Sequence, residues 1–269
     1  MNRNLFLREL RRNLAGLIIW SIIICVLVAV TLSFYRTFSE NQGKIAGMMS
    51  ILPKGAMAIK GISKLSDMFS ILGFYSVNNL IYMMVLGSIY AIVLSSNIVL
   101  KEEYNKTAEY LLSRPISRSE VFMSKFAVFF LYVVCLNIIV GVIGLLGIEL
   151  VKTGTYSLKS YFVFSFYTLL LNLLFGSIGF FISVLMKRAK PVTTLNIGLV
   201  LIFYFIFSLS KITESGSKIG YLSPFKYVNV DVSNPAYGVE VWRLGFFIGI
   251  SVLLILISYG IYKKKDIYT

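Results

Sequence analysis

Six stretches of the chain carry no charged residue: 13–35, 68–100, 126–148, 160–186, 191–210 and 244–262. Each is long enough to cross a bilayer, whose hydrocarbon core takes about 20 apolar residues as a helix. No water is available there for backbone N–H and C=O groups, so an apolar run of this length must be helical. The pattern predicts an all-α polytopic membrane protein with six transmembrane helices, at about 13–35, 70–100, 120–148, 160–186, 191–210 and 241–262. Together they use just over half of the 269 residues, which leaves a single membrane domain spanning 1–269. The second run is longer than one crossing needs, since 1.5 Å per residue makes it roughly 50 Å long. It must tilt or extend beyond the core, and Asn78, Asn79, Ser95, Ser96 and Asn97 sit in its polar-tolerant parts.

Ahead of the first span, Phe6, Leu7, Leu10 and Leu14 fall on one helical face and Arg8, Arg11 and Arg12 on the other. This predicts a short amphipathic helix lying in the interface before the first crossing. The start is not read as a cleaved signal: the apolar run is too long and no small-residue cleavage site follows Phe34-Tyr35-Arg36. Between spans two and three lies KEEYNKTAEYLLSRPISRSEVFMSK, residues 101–125. On a helix, Tyr104, Ala108, Leu111 and Leu112 share one face, and Glu102, Lys106, Glu109 and Ser113 the opposite one. Glu102 and Lys106 are placed as a favourable i,i+4 pair with the acid first. Pro115 ends that helix near Ser113. Ser117-Arg118-Ser119-Glu120 then reads as a capping box that starts the third span.

Charge adds orientation. The net charge is +14, but Lys and Arg gather at span ends, where they set topology and meet anionic lipid, so no nucleic-acid partner is expected. The N-terminal tail, the second-to-third and fourth-to-fifth connections and the C-terminal tail hold 15 of the 26 basic residues. By the positive-inside rule those regions face the cytoplasm, with both termini inside. The expected location is a plasma membrane, in a bacterial cell.

Candidate chemistry is sparse. The chain has no histidine, which removes imidazole acid–base catalysis, His-metal sites and Ser-His-Asp arrangements. Cys25 and Cys135 lie mid-span and read as small packing residues. No catalytic, cofactor-binding or metal residue is assigned. A G-x-x-x-x-G-K-[ST] phosphate loop is missing from the sequence; Gly154 to Ser160 comes nearest but has Leu158 where the second Gly belongs. No Asp, Glu, Lys or Arg is expected near a span centre, which argues against a proton-coupled secondary transporter. Asn78, Asn79, Asn137, Asn172 and Asn196 either line a substrate path or make interhelical hydrogen bonds, the commoner fate. Gly141, Gly144 and Gly147 in the third span, and Gly176 and Gly179 in the fourth, mark close helix approach. Tyr35, Tyr161 and Tyr262, near span ends, suit interfacial aromatic belts.

One segment is more specific. Glu103, Thr107, Glu109, Tyr110, Leu111, Leu112, Ser113, Pro115, Ser117 and Arg118 closely resemble the E-x-x-x-T-x-E-x-L-L-S-x-P-x-S-R segment of the ABC type-2 permease family. Tyr221-Leu222-Ser223-Pro224-Phe225-Lys226-Tyr227 is similar to the LSPF-x-Y segment ahead of the last span in such permeases, and implies a short re-entrant piece over Tyr221 to Val230. The resemblance implies that 101–117 is a cytoplasmic coupling helix docked on a separate ATPase subunit, with Glu102, Lys106 and the motif residues as the coupling set. It further implies that the partner binds ATP and Mg, that a second permease subunit, identical or related, completes a dimer, and that this chain is not itself an enzyme. Export of a hydrophobic or amphipathic substrate, a peptide or drug, is the expected function. The alternatives are a non-transporting sensor or scaffold on the same ATPase, or a secondary transporter.

Overall fold

The computed structural model describes residues 3–50, 69–104, 117–186, 190–212, 218–228 and 237–264. Among these residues there is no strand. Helix α1 is Arg3–Ser33, followed by short helices α2, Tyr35–Glu40, and α3, Gln42–Ser50. Helix α4, Ile71–Asn79, passes through a π-helical stretch, Leu80–Leu86, into α5, Gly87–Tyr104. Then come α6, Arg118–Val151, α7, Leu158–Leu185, and α8, Lys190–Ile212. Two 3₁₀ turns, Ile219–Leu222 and Pro224–Tyr227, precede α9, Val241–Lys264. Six helical stretches are long and apolar enough to cross a membrane, one for each charge-free run.

The amphipathic stretch and the first span form one continuous helix rather than two. The buried side of its first turns is also rotated from the expected face. Leu5 and Glu9 are buried and Phe6 and Leu10 pack partly inside, whereas Leu7 and Leu14 are exposed. The long second run is a crossing in one piece, with the π-helical turns near its middle.

Helices α5 and α7 form the hub, packing most extensively on each other; α5 also meets α6 and α8, and α7 also meets α9. Close approach to α7 needs glycine: a Cβ on Gly179 would sit 2.6 Å from the Ile92 carbonyl oxygen of α5. Helices α1 and α6 run side by side and parallel. Leu5 packs on Val121 at one end, and a Cβ on Gly147 would meet Leu32 at the other. Tyr35 and Tyr161, placed by sequence in aromatic belts, are instead inside the bundle. The Tyr35 hydroxyl donates to the Phe69 carbonyl at 3.2 Å and that of Tyr161 to Gly141 at 2.5 Å. Both lie where two spans converge, and burying their rings satisfies the hydroxyl as well.

Overpacking the α5–α7 contact should be costly. Gly179→Val is expected to destabilise the protein by about 1–3 kcal/mol, read as a lower melting temperature in detergent. Gly198→Ala, whose Cβ would meet nothing within 4 Å, should leave the melt unchanged.

Candidate coupling face and polar seam

The start of α1, the C-terminal ends of α5 and α9 and the start of α6 meet at one end of the bundle. The capping box forms as the spacing predicts: the Glu120 N–H donates to Ser117 Oγ at 3.2 Å, and the Ser117 N–H donates to Glu120 Oε2 at 3.1 Å. It satisfies two of the otherwise orphaned donors at the helix start. The first turns of α6 are then tied to four neighbours. Arg118 Nη1 donates to the Lys263 carbonyl of α9 at 3.2 Å, and the hydroxyls of Ser119 and Tyr259 lie 2.7 Å apart. Phe122 stacks among Tyr259, Tyr262 and Phe180. Val121 packs on Leu5 of α1. Lys125 is 1% exposed, and its Nζ donates to the Ile98 carbonyl of α5 at 2.6 Å.

Of the sequence-assigned coupling residues, Ser117 and Arg118 are therefore placed in this anchored start of α6. Glu102 and Glu103 belong to the last turn of α5 by backbone. Lys106, Thr107, Glu109, Tyr110, Leu111, Leu112, Ser113 and Pro115 lie outside the described residues. Sequence reading missed Lys125 and Glu9, which is fully buried on α1. Both carried a signal. Val121, Lys125, Val128 and Tyr132 step by four, three and four along one apolar stripe of α6. Leu5 and Glu9 step by four on α1, where Glu9 is the lone acid among basic neighbours.

The asparagines fall into two groups. Asn78 turns back on its own helix, donating to the Phe74 carbonyl at 2.8 Å. Asn79 has a helical backbone, and its side chain lies outside what the structure describes. Asn137, Asn172 and Asn196 join spans. Ser88 Oγ of α5 donates to Asn172 Oδ1 at 3.1 Å, and Asn172 Nδ2 donates to Asn137 Oδ1 at 3.3 Å, which links α5, α7 and α6. Asn196 Nδ2 of α8 donates to Ser96 Oγ of α5, and Ser96 Oγ in turn reaches the Ile92 carbonyl at 2.6 Å. Asn172 and Asn196 are both completely buried. This seam gives α5 polar partners on α7 and α8 inside an apolar bundle.

At the opposite end the two 3₁₀ turns enter the bundle. Phe225 is fully buried against Phe175, Tyr204 and Phe207, and Ser223 Oγ donates to the Phe203 carbonyl at 2.7 Å. Tyr227 stacks on Phe246 of α9 with centroids 3.9 Å apart. Proline at the first position of the second turn suits its fixed φ. In the connection between α6 and α7, Tyr156 donates to Glu149 at 2.6 Å; burial first, then the carboxylate, pushes its phenol up to about 12. The phenol thus stays a donor across the physiological range.

Six helices able to cross a membrane, an anchored start to α6 and an inserted turn before the last span mark a polytopic helical membrane protein. The family described as ABC-2 family transporter protein matches residues 4–267, and the chain belongs to that family. It is an ABC transporter permease, and membership implies pairing with an ABC ATPase subunit. No curated protein matches the sequence.

Replacing Asn172 by Leu should cost about 0.6–1.7 kcal/mol, the range for interhelical hydrogen bonds in membranes. A cysteine at 172 should also resist a water-soluble maleimide in intact membranes. Rapid labelling would place that position on an aqueous path.

Proposed function

We propose that the chain is the membrane half of an exporter whose energy comes from ATP and Mg bound on the partner ATPase. The substrate class that fits best is a hydrophobic or amphipathic molecule, a peptide or drug. A compact chain of six crossings offers an apolar bundle and carries no extended polar domain. The working unit is a dimer with a second permease, identical or related, and both termini face the cytoplasm.

What supports this reading is the anchoring of the elements that flank the 101–117 segment. It begins in the last turn of α5, which runs to Tyr104, and ends at the start of α6, whose first turns are tied to α1, α5 and α9. A helix held between two such anchors transmits a push as rigid-body motion rather than absorbing it. The acidic side chains Glu103 and Glu109 meet basic groups on the ATPase, while Leu111 and Leu112 pack beneath the spans. Closure of two ATPases around nucleotide then drives two permeases between packed arrangements. Chemistry stays on the partner, and this chain supplies the path and the lever.

Charge reversal separates docking from folding. Glu103→Lys with Glu109→Lys should abolish co-purification with the partner ABC ATPase, while membrane insertion and detergent monodispersity stay as in the wild type. Retained co-purification would remove the docking role. A cysteine at Lys106 should react with an impermeant maleimide in inside-out vesicles but not in intact cells.

A further inference from the structure

Helix α9 meets the start of α6 at its C-terminal end, and its other end carries a guanidinium with unmet donors. Arg243 lies in the first turn of α9, and its side chain is 12% exposed. The chain just before it sets that turn. The Glu240 N–H donates to the hydroxyl of the fully buried Tyr167 at 2.8 Å, and the Glu240 carbonyl accepts from the Arg243 N–H at 3.1 Å. The two side chains are thereby brought together, with Glu240 Oε2 2.9 Å from Arg243 Nε. The contact is an ion pair without a hydrogen bond: Nε and Nη1 are both buried and neither has an acceptor. Glu240 Oε2 instead accepts from Trp242 Nε1 at 2.6 Å. The Glu240 side chain remains 42% exposed.

Aromatic rings frame the pair. The guanidinium carbon is 5.2 Å from the Trp242 ring centre and 6.0 Å from that of Tyr167. Tyr227 packs edge-on against Trp242 at 5.8 Å and also meets Tyr221. Tyr221, Leu222, Val241 and Trp242 turn large exposed surfaces outward. With α9 as a crossing, this ring of residues lies at headgroup level, where Trp and Tyr collect. A guanidinium has five N–H donors and cannot shed its charge, so donors stripped of water and left unmet are costly. Its planar fork matches two oxygens of one phosphate. The exposed part of the side chain is the approach for one oxygen, and rotation about its last bonds presents Nη1 to a second. Glu240 then decides the class of ligand. A purely anionic group would face that carboxylate as a like charge, whereas a headgroup with its own ammonium would complement it.

We infer that Arg243 and Glu240 hold the headgroup of a zwitterionic phospholipid, the guanidinium on its phosphate and the carboxylate on its ammonium. Trp242 and Tyr227 line the seat, and the outward apolar side chains meet the acyl region beside it. The lipid docks the first turn of the last span, and the inserted turn packed on it through Tyr227, at a fixed depth. This site stands apart from the segment between α5 and α6, at the opposite end of the bundle, and needs no ATPase to form.

The test uses the full-length permease, delipidated in detergent, with single lipids of the same acyl chains added back and melting temperature read. Phosphatidylethanolamine at about a hundred times its dissociation constant should raise the melt by about 5–10 °C. Phosphatidylglycerol should raise it less, and diacylglycerol, which lacks the phosphate, should not raise it. Arg243→Gln should lose the phosphatidylethanolamine increment. Arg243→Lys keeps the charge without the fork and should lose most of it, so it decides the matter if the Gln variant does not fold. Glu240→Gln should bring the two phospholipids to equal increments. In native mass spectrometry the wild type should retain a phosphatidylethanolamine adduct under activation that strips diacylglycerol, and the Arg243 variants should not. Each reading is an increment over the same variant without lipid, which a merely structural arginine would leave unchanged. Equal increments from phosphatidylethanolamine and diacylglycerol overturn the proposal, as does an undiminished increment in the Arg243 variants. A larger increment from phosphatidylglycerol refutes the role of Glu240. Soluble glycerophosphoethanolamine that reproduces the full increment assigns the site to a free solute and refutes the lipid. None of these outcomes touches the ATPase reading, which is tested separately.

Discussion

Helices in hydrocarbon have no hydrophobic reason to associate, because lipid tails are as apolar as leucine. What remains is close approach and shared hydrogen bonds, and this bundle concentrates both on α5. Gly179 lets α7 reach its backbone, Asn172 and Asn196 reach its serines, and Lys125 reaches its carbonyls. The peripheral helices show the complement: α9 and the outer face of α1 expose isoleucine, leucine and valine, as surfaces meeting lipid or another subunit do. The architecture is thus a polar-stitched centre with apolar margins.

That arrangement bears on how motion would pass through the molecule. The end of α5 and the start of α6 flank the proposed coupling segment, and the first turns of α6 are tied to α1, α5, α7 and α9. On the proposed reading, force applied at 101–117 reaches the hub directly and reaches α1 and α9 through the first turns of α6. The capping box matters here because it fixes where α6 begins, and so where the lever meets the bundle. At the far end, Phe225 plugs the space between α7 and α8, which ties the turn before the last span to the same core.

Much of this was legible in the chain. Charge-free runs located the crossings because hydrocarbon tolerates so few alternatives, and Ser117 with Glu120 announced its own cap. The glycine spacing foretold close approach at Gly147 and Gly179. Burial within the bundle was less legible. Tyr35 and Tyr161 have the composition of belt residues, and only the convergence of two spans turns them inward. Glu9 and Lys125 escaped because averaging over a charge-free window places both at its edge, while their helical phase puts them on apolar stripes. Leu7 and Leu14 erred the other way: they share a face with Phe6 and Leu10 on a wheel, but a continuous α1 buries Leu5 and Glu9 instead. Phase relative to a neighbour, unlike periodicity, is a tertiary property. Substrate preference is less legible still, since an apolar path is built from the same residues as an apolar core.

The central claim is that the segment between α5 and α6 touches the nucleotide-driven subunit. A photo-crosslinking side chain at Tyr110, in the permease reconstituted with its neighbouring ATPase, tests it most directly. The account predicts an adduct to the ATPase whose yield changes when the enzyme is trapped with ATP and vanadate. Adducts confined to lipid, or to this chain alone, in every nucleotide state would contradict it.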